Sequence, residues 1–194
     1  DAIVKTFSTF KHKSILLAPT GRAAKVLSSY TGKQAFTIHK KIYRQNYTSN
    51  GMGDFSLNFN PAKDTVFIVD EASMISDSTG NRSVFGSGRL LFSGTRCKLM
   101  LIGDVAQLPP VGLSLSPALD KDELERHGLS VSEVFLTDVV RQSSESGILW
   151  NATRIREIIA SGNPEIPKFK THPFPDIECV SGAELIEEIS TAYD

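Results

Sequence analysis

With 194 residues, 40% of them hydrophobic, the chain is long enough to bury the core of one domain with some chain to spare. Two cysteines, Cys97 and Cys179, supply neither a disulfide framework nor zinc-ligand spacing, which points to a reducing compartment, with the cytoplasm as the default. No apolar run is long enough to span a membrane, and the start DAIVKTFSTFKHK lacks a signal-peptide pattern.

The formal net charge of −1 hides an asymmetry. Residues 1–44 hold nine Lys/Arg and one acidic residue, Asp1, whereas residues 45–194 hold twelve Lys/Arg and twenty-one Asp/Glu. A basic segment in a near-neutral protein is either a face for a polyanion or a solvated lysine-rich helix.

In chain order, Ile3, Phe7 and Phe10 predict an amphipathic helix already under way at Asp1 and ended by Lys11-His12-Lys13. SILLA (14–18) reads as a short buried strand, and Pro19-Thr20-Gly21 as a turn in which Thr20 caps a helix over 22–30. Residues 45–63, rich in Asn, Gly and Ser, read as a loop or weak hairpin. TVFIVD (65–70) is a continuous β-branched apolar run of the kind covered on both faces of a parallel sheet, KLMLIGD (98–104) repeats it, and VFLT (134–137) is a weaker third case. Such strands, separated by helical or looped stretches, predict an α/β fold with a parallel sheet. Between Asp70 and Lys98, however, the chain is Gly- and Ser-rich where such a fold wants a crossover helix. Ile148, Ile155 and Ile159 mark a later helix, a stretch with Pro164, Pro167, Pro173 and Pro175 follows, and a last amphipathic helix falls near 182–193. That tail reads as the start of another domain.

Two adjacent carboxylates, Asp70 and Glu71, end an apolar strand, the edge at which parallel sheets bind ligands. This is a Walker B arrangement, in which the first acid holds Mg²⁺ directly or through water and the second orients or deprotonates the attacking water. A strand end capped by two acids is the plainer reading. Gly103-Asp104 end the next strand, and Gln107 lies in the following AQLPPVG run, where its amide could accept from a water or donate to a phosphate oxygen.

Together LLAPTGRAAKVL (16–27), TIH (37–39), VDEAS (69–73), GDVAQLPPVG (103–112) and LTDVVRQ (136–142) resemble, in order and rough spacing, motifs Ia, Ib, II, III and IV of superfamily 1 DNA helicases, above all the RecD-like (exodeoxyribonuclease V alpha-subunit-like) branch. The resemblance covers residues 14–142. It implies a RecA-like P-loop NTPase core, a parallel sheet flanked by helices, over residues 1–142, with residues 143–194 leading into a following domain. It further implies Asp70 as the Mg²⁺ ligand, Glu71 as the catalytic base, Gln107 as the γ-phosphate sensor and Arg141 as an arginine approaching the γ-phosphate. Pro19, Thr20, Arg22, Thr37 and His39 resemble the residues that hold single-stranded DNA. ATP and Mg²⁺ would be used, 5′ to 3′ movement is implied, and nuclease or helicase partner subunits and a DNA-repair setting belong to the same picture. The residues agree with it: a helix opened by Thr20-Gly21 favours a phosphate, and Arg22, Lys25, Lys33, Lys40, Lys41 and Arg44 add charge. His39 as an ordinary loop histidine and Arg141 as a surface ion-pair partner are the plainer alternatives.

One departure matters. The pattern G-x-x-x-x-G-K-[ST] is absent from these 194 residues, and Thr31-Gly32-Lys33 is a decoy, with Leu27 and Gln34 at the positions that need Gly and Ser/Thr. The reading is an N-terminally truncated motor domain whose phosphate loop and central strand would precede Asp1. Without them the chain is expected to have an open apolar edge and neither to bind ATP tightly nor to hydrolyse it. A PhoH-like ATPase, or a nucleic-acid-binding remnant without ATPase activity, are the rival readings.

Overall fold

The computed structural model describes residues 1–47, 53–76, 96–136, 146–163 and 165–193, and its contacts divide the chain into two compact units, residues 1–133 and 134–194. The first unit opens with α1 (Ala2–Thr9), β1 (Lys13–Ala18), α2 (Gly21–Thr31), β2 (Ala35–Thr37) and α3 (Ile38–Ile42). An antiparallel hairpin of β3 (Tyr43–Tyr47) and β4 (Gly53–Leu57) follows, where a loop or weak hairpin was expected. Then come β5 (Thr65–Val69), β6 (Lys98–Leu101) and α4 (Lys121–Arg126), with short 3-10 turns at Ala72–Met74 and Pro117–Leu119.

Four of these strands form one sheet in the order β2-β1-β5-β6, and every neighbouring pair is parallel. The apolar runs dictate this. Alternate residues of a strand face opposite sides, so a run without alternation needs cover on both. Leu16 and Ile68 are buried on one side with Val4 of α1 and the half-buried Phe7 and Leu27. Leu17, Phe67 and Val69 are buried on the other with Ile38 and Ile42 of α3 and Leu124 of α4. Fully burying one such side chain stabilises by about 1.5–3 kcal/mol relative to leaving it in water. The fold is therefore the expected α/β class, a parallel sheet with helices on both faces. The ladder runs unbroken across these four strands, so the described sheet has no internal gap, and its two edges are β2 and β6.

Two expected helices are present but bury other residues than the apolar spacing picked out, and one expected strand is corrected. Helix α1 buries Val4, with Phe7 packed beside it, whereas Ile3 and Phe10 are exposed; Phe10 lies past the last helical turn, as its C-cap, and cannot share the helix face. Residues 134–136 of the VFLT run form no strand, and Val134, Phe135 and Leu136 are all exposed. In the second unit, α5 (Gly147–Ser161) exposes Ile148 and Ile159 and buries Gly147 and Asn151 instead. The reason is polar: Asn151 donates to the Lys170 carbonyl at 2.8 Å and accepts from the Lys170 amide at 2.8 Å, so the helix is tied to the chain through its amide face. Arg141 and the Gly/Ser-rich residues 77–95 lie outside the described residues.

The second unit ends with α6 (Leu185–Tyr193). Its helix α5 is capped twice at the N-terminus. Ser146 accepts from the Leu149 amide at 3.1 Å, and Asp176, thirty residues on, accepts from the Ser146 hydroxyl at 2.6 Å and the Gly147 amide at 2.8 Å. The Ser146 hydroxyl above all, and then the Gly147 amide, hold the Asp176 carboxyl below its ordinary value. A carboxyl lowered in this way stabilises the fold above the unfolded carboxylate pKa of about 4, and the contribution is lost as pH falls through the lowered value. Asp176→Asn is accordingly expected to lower the thermal midpoint at pH 7, with the difference from wild type closing below about pH 4. Thermal unfolding followed by circular dichroism at pH 7 and pH 3 checks it; an equal deficit at both would show that the charge is irrelevant.

Candidate functional site

Because all four strands of the sheet point the same way, their carboxyl ends share one edge, and the residues singled out by sequence follow those ends. Thr37 ends β2, with His39 two residues on; Pro19, Thr20 and Arg22 follow β1; Asp70 and Glu71 follow β5; Gln107 lies in the loop after β6. Three strand spacings of about 4.8 Å separate the first group from the last. Arg141 is the one candidate the described residues do not include.

On the β2 and β1 side the caps are as expected. Thr20 sits in extended conformation and its hydroxyl oxygen accepts from the Ala23 amide at 3.2 Å, so α2 starts where the turn was read. Thr37 does the same for α3, accepting from the Lys40 amide at 3.2 Å. The ring of exposed His39 lies 5.8 Å from that of Tyr43. Arg22, Lys25 and Lys40 are exposed and make no ion pair with a described residue. Lys33, by contrast, is structural: its Nζ donates to the Ser14 carbonyl at 2.6 Å and hydroxyl at 2.7 Å, and Gly32 is the left-handed C-cap of α2 at φ 65°. Thr31-Gly32-Lys33 is thus a helix end.

On the β5 and β6 side the backbone is held tightly. The Asp70 amide donates to the Leu17 carbonyl at 3.0 Å, so the β1–β5 ladder extends to the first acid. Asp70 Oδ1 accepts from the Glu71 amide at 3.0 Å, and Glu71 adopts φ 54°, ψ 40°. A non-glycine residue in that left-handed region costs about 1–3 kcal/mol and persists only where its surroundings impose it. Here they do. The Ala72 amide donates to the Ile102 carbonyl at 2.8 Å. The buried Ser116 hydroxyl is shared between the Ala72 and Ile75 carbonyls, at 2.8 and 2.7 Å. The buried Ser73 hydroxyl then reaches Gln107 Oε1 at 3.3 Å, a long hydrogen bond that joins the turn after β5 to the loop after β6. Gln107 is further placed by its own amide, which donates to the Asp104 carbonyl at 3.1 Å. Sequence reading found Gln107 and noted Ser73 only as part of DEAS; nothing in the local pattern around Ser116 marked it.

No three His, Cys, Asp or Glu side chains gather into a metal cluster among the described residues. A Mg²⁺ site of the nucleotide type needs only one or two carboxylates, acting with substrate phosphates and water. Asp70, half-buried and with one oxygen accepting from a backbone amide, is a hard oxygen donor of this kind.

Comparison with known proteins supplies the rest. Residues 1–113 match the family model described as an AAA domain. The chain belongs to this AAA-domain family. Over 137 residues, 71% of the chain, it is also 32% identical to a protein of Deinococcus radiodurans named an ATP-dependent RecD2 DNA helicase. These two findings bear out the motif-based resemblance to RecD-like superfamily 1 helicases. The chain spans 17% of that relative's length. No helix among the described residues is long and apolar enough to cross a membrane.

The close approach of the two loops rests on Gly103. A Cβ added there would lie 2.8 Å from the Ser73 amide nitrogen and 2.9 Å from Leu119 Cδ1, and the first of these is backbone that cannot swing away. Gly103→Ala is expected to destabilise the chain by about 1–3 kcal/mol, as overpacking does. Gly21, at the start of α2, has nothing within 4 Å of the same added atom, so Gly21→Ala is expected to cause no loss. Chemical denaturation of the two variants against wild type reads the contrast; a wild-type midpoint for Gly103→Ala would remove the packing argument.

Proposed function

We propose that this chain is part of an ATP-dependent DNA helicase motor that couples ATP hydrolysis to movement along single-stranded DNA, in the 5′ to 3′ direction. The observation that carries the proposal is the shared carboxyl edge, with the two acids and Gln107 on the β5 and β6 side, and Thr20, Arg22 and Thr37 on the β1 and β2 side. In this reading residues 1–142 form the motor part and residues 143–194 lead into a following domain. The whole protein would work in the cytoplasm in DNA repair, with nuclease or helicase partner subunits.

Asp70 would hold Mg²⁺, which when bound neutralises phosphate charge and orients the β- and γ-oxygens. Glu71 takes the role of base. Its position next to Asp70, on a turn fixed by backbone hydrogen bonds, suits a carboxylate that must orient a water beside the γ-phosphate. Gln107 has Oε1 engaged by Ser73, which leaves its Nε2 to donate to a γ-phosphate oxygen. Arg141 would add a cation to the same group. Nucleotide affinity in such a motor comes largely from a phosphate-cradling loop, a pattern these 194 residues do not contain, so the chain by itself is proposed to be inactive towards ATP. On the other half, the first turn of α2 presents backbone amides and exposed Arg22, and α3 presents His39 and Lys40, to the phosphates of a single strand.

Two experiments on the full-length protein test the halves separately. Glu71→Gln should keep nucleotide binding while slowing DNA-stimulated hydrolysis by at least about a hundredfold, the lower end for losing a general base. Hydrolysis at the wild-type rate would refute the role of Glu71. For DNA, affinity for a single strand should fall with salt at a slope of roughly −0.7 per neutralised phosphate, and Arg22→Ala should flatten that slope by about one contact while weakening all sequences alike. An unchanged slope in the Arg22 variant would move the DNA elsewhere.

A further inference from the structure

Ser116 is 1% exposed, and its hydroxyl grips the turn after the acid pair from a segment more than forty positions further along the chain. The hydroxyl oxygen lies 2.8 Å from the Ala72 carbonyl and 2.7 Å from the Ile75 carbonyl, and it accepts from the Ala118 amide at 3.2 Å. A hydroxyl has one proton to give. The Ala72 carbonyl already accepts from the Ile75 amide at 3.1 Å, so the proton matters most at the Ile75 carbonyl. Buried as it is, Ser116 cannot touch a ligand, and any effect it has on chemistry must pass through the turn. We propose that Ser116 is a positioning residue for ATP hydrolysis, holding the backbone that aims the Glu71 carboxylate.

The hydrogen bonds that Glu71 makes with its own backbone are local. Its amide donates to Asp70 Oδ1 at 3.0 Å, and its carbonyl accepts from the Met74 amide at 3.1 Å. Neither bond relates the turn to the rest of the sheet edge. Longer-range ties do that. The Ala72 amide is held at the start of the turn by the Ile102 carbonyl, and Ser116 reaches both its start and its end, at Ala72 and Ile75. Ser73 is a different case, because its hydroxyl engages Gln107 and not the backbone of the turn. The left-handed φ of 54° at Glu71 lies immediately before this stretch, and such a backbone persists only where its surroundings impose it. With the Ile75 end released, the turn 72–75 can loosen and residue 71 can return to an ordinary negative φ, which swings the Cα–Cβ bond and the carboxylate to a new direction. Ser116 is itself well placed to prevent this. It caps the Pro117–Leu119 turn in extended conformation, its carbonyl accepts from the Leu119 amide at 2.9 Å, and Ala118 packs in the same apolar cluster as Ala72 and Ile75. The hydroxyl is therefore a fixed post. A general base acts only within hydrogen-bond reach of its proton, so a small misplacement costs rate and spares binding.

The inference rests on the reading of Glu71 as the base, and the test separates the two. Full-length protein is assayed for DNA-stimulated ATP hydrolysis, with kcat and the KM for ATP determined separately. Ser116→Ala should lower kcat about ten- to a hundredfold and leave KM unchanged, the pattern of an interaction made in the transition state alone. Ser116→Cys, whose thiol is a weaker donor, should fall between Ser116→Ala and wild type, and it decides the matter if Ser116→Ala does not fold. In a Glu71→Gln background Ser116→Ala should slow hydrolysis no further, because its effect passes through the missing carboxylate. Ser14→Ala is the control. It removes another buried hydroxyl, at the amino edge of the same sheet where Ser14 accepts from Lys33 Nζ at 2.7 Å, and should hydrolyse ATP at the wild-type kcat. A wild-type kcat in the Ser116 variants, with Glu71→Gln slow, overturns the positioning role and leaves Glu71 as the base. An equal further loss from Ser116→Ala in the Glu71→Gln background, or an equal loss in Ser14→Ala, overturns it too, since the effect would then be one of general stability. If Glu71→Gln hydrolyses ATP as wild type does, both readings fall.

Discussion

The parallel ladder β2-β1-β5-β6 is the constraint on which the site depends. A parallel sheet sends every carboxyl end to the same edge, so residues more than eighty positions apart, Thr20 and Gln107, end on one rim without any pairing between them. The ladder forms because SILLA and TVFIV leave no polar face to turn to water, and the two helical layers bury what the strands expose. Position follows from hydrophobic burial; chemistry is added afterwards by the loops at the strand ends.

Those loops are not relaxed connections. Glu71 is held in left-handed conformation by neighbours that belong to two other segments: Ile102 and Gly103 directly after β6, where the missing side chain of Gly103 lets the loop approach the Ser73 amide, and Ser116 before the Pro117–Leu119 turn. Strain of about 1–3 kcal/mol at one residue is small beside the burial of the sheet, so the fold can sustain it there. What the strain secures is a fixed backbone at the acid pair. The same contacts make the turn after β5 and the loop after β6 a single mechanical piece, joined side chain to side chain by Ser73 and Gln107.

Much of this was legible in sequence, for local reasons. A Thr before Gly-Arg caps a helix by its own hydroxyl, an acid pair after an apolar run lies at a strand end, and a Gly-Lys without a strand before it is a helix terminus; each is decided within a few residues. What was not legible depended on partners far along the chain. Ser73 and Gln107 are thirty-four positions apart, and Ser116 and Ala72 forty-four. Strand β2 is three residues long, too short for a pattern. In α1 the apolar Ile3 and Val4 are adjacent, so spacing alone could not choose the buried one; contact with Leu16 and Ile68 did. VFLT is apolar but exposed at 134–136, which shows that an apolar run specifies a strand only where a sheet is there to receive it.

The charge on the shared edge follows the same geometry. Under the proposed function, the β5 and β6 half takes up a nucleotide while the β1 and β2 half takes up a nucleic acid, and both ligands are anionic. Neighbouring strands lie about 4.8 Å apart, well inside the Debye length of about 8 Å at physiological ionic strength. Phosphates on the β1 side therefore feel the charge at Asp70 and Glu71, and any phosphates held there, with little screening. Arg22, Lys25 and Lys40 on the one side and Mg²⁺ on the other offset that repulsion without abolishing it. Whatever remains is a coupling free energy between the two ligands, and linkage makes it act equally in both directions. Under that proposal, two anionic ligands on one sheet edge act on each other through the field.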